Sequence, residues 1–127
     1  MSYLDLELPA ITITTEDARH LSLLALSGTR PAKSLAREIS RAGIIPVTTA
    51  SRGLVRMSSL VIYRDEMTCQ VDEVRLVYPH ETEGDPRRVS VLTPVGTALI
   101  GLSVGQTIKF ETPYGDGRSL TVMYVWD

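Results

Sequence analysis

Val89-Ser90-Val91-Leu92-Thr93-Pro94-Val95-Gly96-Thr97-Ala98-Leu99-Ile100-Gly101-Leu102-Ser103-Val104-Gly105-Gln106 is the segment on which the fold turns. Its valine-rich alternation over 89–92 predicts a strand. Thr93 then offers the side chain of a helix N-cap, and Pro94 stands at the first helical position, where a missing N–H costs nothing. Ala98, Leu99 and Ile100 continue a short helix that Gly101 ends. Gly96, Gly101 and Gly105 look superficially like a phosphate-cradling loop, but no Gly-Lys-Ser/Thr follows and apolar residues fill the gaps. They are read as turns and a helix end.

Upstream, residues 1–13 alternate (Tyr3, Leu4, Leu6, Leu8, Ile11, Ile13) and predict an extended arm. The arm either adds a strand to another chain or covers an edge of this one. Thr14 caps a helix with Glu16 and Asp17 in its first turn, where the helix dipole favours acids. Ala18, Leu21, Leu24 and Ala25 form its apolar stripe. Ser27-Gly28-Thr29 breaks it, and a second helix runs from near Pro31 to Gly43 with Ala32, Leu35, Ala36, Ile39 and Ala42. Two such helices joined by a tight break predict an antiparallel hairpin of about 12 residues per arm. It is too short to stand alone and must lean on the domain C-terminal to it.

Ile44-Ile45-Pro46 reads as a hinge, after which the period changes from 3.6 to 2. Strands are predicted over Val55–Arg64, over Val71–Tyr78 (Val71, Val74, Leu76 and Tyr78 inward), over Arg88–Leu92, over Ile108–Glu111 and over Leu120–Trp126. Asp65–Thr68 is a turn, 79–87 a polar loop, and Pro113–Gly117 a hairpin turn of the Asp-Gly type. The fold class is α+β: a short N-terminal helical hairpin over 1–46, then a small antiparallel sheet with one helix across it over 47–127.

A chain of 127 residues is one domain, or one domain with a small appendage. No apolar run approaches the ~20 residues that span a bilayer, and the first residues carry acids rather than the basic flank of a signal peptide. Cys69 is alone, which rules out an intrachain disulfide and fits a reducing cytoplasm. A formal charge of −2 argues against a broad nucleic-acid-binding face. The charge is uneven, however. Arg30, Lys33, Arg37 and Arg41 against the single acid Glu38 make either a solvated helix face or a small basic patch for phosphates or an acidic protein surface.

Chemistry is sparse. His20 and His80 are far apart and no His/Cys pair has ligand spacing, so neither zinc nor another cofactor is expected. Cys69 has no basic activator and reads as a structural or solvent-facing thiol. No nucleophile elbow surrounds a serine. Glu81, Glu83 and Asp85 share a loop with Gly84 and Pro86 and read as a solvated acidic loop. No catalytic residue is assigned.

Several segments carry a family resemblance: Ile11–Ala18, Ala42-Gly43-Ile44-Ile45-Pro46, Tyr63-Arg64-Asp65, Val74-Arg75-Leu76-Val77-Tyr78-Pro79, Thr93-Pro94-Val95-Gly96 and Val104-Gly105. In this order they resemble the bacterial Gre transcript-cleavage factors, most closely the short Rnk branch of that superfamily. The likeness implies a C-terminal domain with the fold of FK506-binding proteins and a partner, the rim of the secondary channel of RNA polymerase. In Gre factors a long coiled coil enters that channel and two acids at its tip help hold the catalytic metal. Here the hairpin is shorter and its tip, Leu26-Ser27-Gly28-Thr29-Arg30, has no carboxylate to offer a hard cation.

The resemblance therefore implies a transcription regulator that docks on polymerase, competes with Gre factors and does not stimulate cleavage. By match to the family's serine-proline-leucine, Thr93, Pro94 and Val95 are the candidate docking residues; read locally, they are an N-cap, a first-turn proline and a core valine. No membrane and no sequence-specific nucleic acid is expected as partner. The alternatives are a Gre-like cleavage factor, an interaction module with another partner, and a prolyl isomerase. The last is weak on chemistry, since fold does not carry function and the chain has one Phe, one Trp and five Tyr to line a pocket.

Overall fold

The computed structural model describes residues 8–126. Of the arm, Tyr3, Leu4 and Leu6 lie outside the described residues. Ile11 and Ile13 are buried, and Thr12–Thr14 forms strand β1. Helix α1 (Thr15–Leu24) begins where expected: Thr14 Oγ1 accepts from Asp17 N at 3.2 Å. A 3₁₀ turn over Ala25–Ser27 leads to Gly28 at φ 78°, a left-handed conformation that glycine adopts without penalty. Thr29 then caps helix α2 (Arg30–Arg41) by accepting from Ala32 N. Leu21 of α1 and Ala32 and Leu35 of α2 are fully buried, as their spacing requires.

The expected hinge is instead a strand. Gly43–Ile45 forms β2 and pairs in parallel with β1, Ile13 opposite Ile44. Ala42, not Gly43, closes α2. This short ladder closes the loop containing both helices, which sequence periodicity over three residues cannot signal.

The main sheet has five strands: β3 (Leu60–Asp65), β4 (Val71–Val77), β5 (Arg88–Ser90), β6 (Thr107–Glu111) and β7 (Gly117–Trp126). They lie in the order β5-β4-β3-β7-β6. It is antiparallel-rich rather than wholly antiparallel: β5 runs parallel to β4, Leu76 opposite Val89. The expected strand from Val55 starts only at Leu60, because Ser58 sits at φ 72° and breaks the extended run. Val55 is buried all the same, donating from its N–H to Leu102 O. Val71, expected inside, is 55% exposed at the end of β4. Strand β5 stops at Ser90, two residues early, because the chain must turn into the capped helix. The hairpin between β6 and β7 turns on Gly115 (φ 84°), whose N–H donates to Thr112 O; Asp116-Gly117 is not the turning pair.

Helix α3 (Pro94–Leu99) lies across the inner face. Ala98, Leu99, Ile100 and Leu102 pack there with Val61, Leu76, Ile108, Leu120 and Val122. Ile11, Ile13, Leu21 and Leu35 belong to the same buried cluster, so the N-terminal helices share one core with the sheet. No helix among the described residues is long and apolar enough to cross a membrane.

Candidate docking site

The corner between β5 and α3 is rigid by construction. Thr93 Oγ1 donates to Ser90 O at 2.7 Å and accepts from Gly96 N at 3.0 Å, so one hydroxyl closes the strand end and caps the helix. Ser90 Oγ accepts from Leu92 N, and Thr97 Oγ1 donates to Val91 O at 2.6 Å. Gly96 is needed for proximity, not for its φ: a Cβ there would stand 2.1 Å from Ser90 O. That differs from the turn role expected for it, whereas Gly101 (φ 81°) and Gly105 (φ 91°) do take the left-handed conformation.

Of the three candidate residues, Pro94 is exposed, while Thr93 is half-buried and Val95 packs against the core. An exposed proline on a locked corner has little conformational freedom left to lose. Pro94 lines a cleft of about 1300 Å³ whose walls include Ile108 and Phe110 of β6 and Arg30, Arg37 and Arg41 of α2. The tertiary structure thus brings together two groups that are over fifty residues apart in the chain. Lys33 and Thr93 are not among the residues lining this cleft.

The basic patch is smaller than expected. Arg41 is ion-paired with Glu38 at 2.7 Å and also donates to Pro9 O, so it ties α2 to the arm and offers little charge outward. Arg30, Lys33 and Arg37 remain exposed on α2.

Elsewhere the polar groups serve the fold. Asp65 accepts from Met67 N and Thr68 N and pairs with Arg118 at 2.6 Å. Arg118 first, then these N–H groups, hold its carboxyl below the usual range. Asp17 accepts from Met57 N at 3.0 Å, tying α1 to the segment before β3; burial raises its pKa despite that bond. Burial, then the charges of Asp17 and Glu81, push the Tyr78 hydroxyl up to about 12. Sequence inspection missed the ties made by Asp17 and by Asp65 with Arg118, and no local pattern announces contacts of 40 and 53 residues' separation.

His20 is exposed and meets Tyr78 edge-on, and His80 stacks on the same ring. Cys69 is exposed just before β4. The acidic loop is more ordered than expected: Glu81 accepts from Tyr78 N, and Asp85 accepts from Arg87 N. Among the described residues no group of three or more His, Cys, Asp or Glu is placed to hold a metal.

The mixed sheet with a capped helix across it has known relatives. Residues 50–127 match the family described as transcription elongation factor, GreA/GreB, C-terminal, and the chain belongs to that family. It is 34% identical over 119 residues to the regulator of nucleoside diphosphate kinase of Escherichia coli K12, covering 91% of this chain and 88% of that protein. It is 31% identical over 83 residues to transcription elongation factor GreA of Syntrophobacter fumaroxidans, covering 65% of this chain and 53% of that one. A GreA/GreB elongation factor structure from Nitrosomonas europaea superposes with a TM-score of 0.74 at 29% identity, over 94% of this chain and 99% of that one. The E. coli relative is named as a regulator rather than an enzyme.

Proposed function

We propose that this protein docks on RNA polymerase near its secondary channel, competes there with Gre factors, and does not stimulate transcript cleavage. Residues 1–46 serve as an arm and a short helical prong, and residues 47–127 as an FKBP-like platform carrying the Thr93–Pro94–Val95 corner. Arg30, Lys33 and Arg37 add a cationic flank.

The observation that carries the reading is the turn between α1 and α2. Leu26 stands 78% exposed there, Arg30 follows, and residues 18–37 contain no Asp or Glu. A divalent cation needs hard oxygen ligands, and this tip has no carboxylate to give. Helices of 10 and 12 residues also make a prong of only about 18 Å.

The test is retention of purified polymerase on the immobilised chain. Pro94→Ala leaves the fold intact because the ring is exposed, and it is expected to weaken retention about tenfold, or about 1.4 kcal/mol, a fair share for one interface anchor. Equal retention removes the corner from the interface. In parallel, adding the chain to a stalled elongation complex is expected to yield no shortened RNA. Shortened RNA would overturn the reading of the tip.

A further inference from the structure

The outer face of the sheet, opposite α3, carries a patch that the docking corner does not use. Tyr124 and Trp126 are 58% and 48% exposed and stack on each other with ring centroids 5.7 Å apart. They face outward because of a bulge: Ile62 pairs with Tyr124 but Tyr63 with Val122, leaving Met123 as an extra residue. Without it, the alternation that buries Leu120 and Val122 would send Tyr124 and Trp126 inward as well.

The register extends this patch into a row. Trp126 lies opposite Leu60, Leu60 opposite Arg75, and Arg75 opposite Arg88, across four adjacent strands. At the usual strand spacing the row spans about 14 Å. Its two cations are pre-placed by carbonyls: Arg75 donates to Ser58 O, and Arg88 to Glu81 O and Glu83 O. Among the described residues neither is ion-paired with a carboxylate. Glu73, the acid in the neighbouring row beside Ile62, pairs with Arg87 at 3.3 Å, and Arg87 is shared with Asp85, which also lies close enough to Arg88 to feel its charge.

We propose that this outer face binds single-stranded RNA without sequence preference, a base stacking on Tyr124 and Trp126 and phosphates meeting Arg75 and Arg88. The two half-exposed rings offer about 200 Å² of flat aromatic surface between them, with two cations in the same row. Flat rings beside cations on an open sheet suit unpaired bases, whose faces stack on aromatics regardless of sequence. The choice of RNA rests on the proposed role beside a transcribing polymerase, which releases RNA as a single strand; the site itself does not rest on the docking corner, since Pro94 belongs to the helix on the opposite face.

Trp126 is the sole tryptophan of the chain and reports directly on the site. Full-length protein is titrated with a fluorescein-labelled twelve-nucleotide oligouridine, following tryptophan quenching and label anisotropy. Saturable quenching is expected. Tyr124→Ala should weaken binding about tenfold or more. Arg75→Gln and Arg88→Gln should weaken it and flatten a salt dependence of slope about −1.4, two phosphates at about −0.7 each. Pro94→Ala should bind RNA as wild type does. Four results would overturn the site: no quenching at 100 µM RNA, equal binding of duplex RNA, unchanged affinity in Tyr124→Ala, or quenching that follows protein concentration alone and so marks a second copy of the chain.

Discussion

Gly96 shows how much one atom decides. Its neighbours fit a helix, and any small residue would satisfy helical propensity. The Ser90 carbonyl, however, occupies the place of a side chain, 2.1 Å from an added Cβ. Backbone cannot rotate away as a side-chain tip can. Gly96→Ala is therefore expected to cost about 3 kcal/mol, the upper end of overpacking losses. Gly28 makes the contrast: its φ is 78° but nothing lies within 4 Å of an added Cβ. Gly28→Ala should cost about 1 kcal/mol, the left-handed penalty alone. Urea midpoints at constant slope measure both, and a smaller loss at Gly96 than at Gly28 would contradict the close approach.

At the scale of elements, polar ties across long separations set how helices meet strands. Asp17 accepts from Met57 N and so fastens α1 to the chain entering β3. Burial raises its pKa above 3.8, so the folded state holds this proton more tightly than the unfolded one. Its contribution to stability is then greatest at acid pH and declines as pH rises through the raised value. Asp17→Asn keeps an acceptor for Met57 and carries no charge to desolvate. The variant should be more stable than wild type at pH 7, with the advantage shrinking to nothing below about pH 3.8. An advantage constant across pH would show that charge burial is not its source. Asp65, with its lowered pKa, works in the opposite sense: its contribution is present above pH 3.8 and lost as pH falls through the depressed value. Elements also failed to form where pattern alone expected them. Val55 to Ser59 alternates like a strand, but Ser58 at φ 72° turns the chain away, while Gly43–Ile45 forms a ladder too short to show a period.

For the whole molecule, the continuity of the core decides how it behaves. Leu21 and Leu35 from the helices lie in one buried cluster with Val61 and Leu120 from the sheet. Unfolding should therefore be a single transition in which helical circular dichroism and Trp126 fluorescence coincide. Separated midpoints would show that the helices come apart from the sheet first. Much of this organisation was legible in the chain: the threonine caps at Thr14 and Thr93, the buried stripes of α1 and α2, all five main strands apart from the start of β3, and the proline corner follow from local periodicity and backbone chemistry, whereas Thr29 was read only as part of a break. So did the absence of acid from the tip between α1 and α2, which carries the functional proposal. Contacts made at a distance were not legible. Local composition cannot say that β5 lies parallel to β4, that Arg41 spends its charge on Glu38, that Pro94 and Arg37 share a cleft, or that a one-residue bulge faces Tyr124 and Trp126 outward. The chain by itself determined which segments are helix, strand and turn, because those preferences are settled within a few residues of backbone. Only the tertiary structure decided which surfaces are left to bind, because exposure depends on what packs against a side chain from elsewhere in the chain.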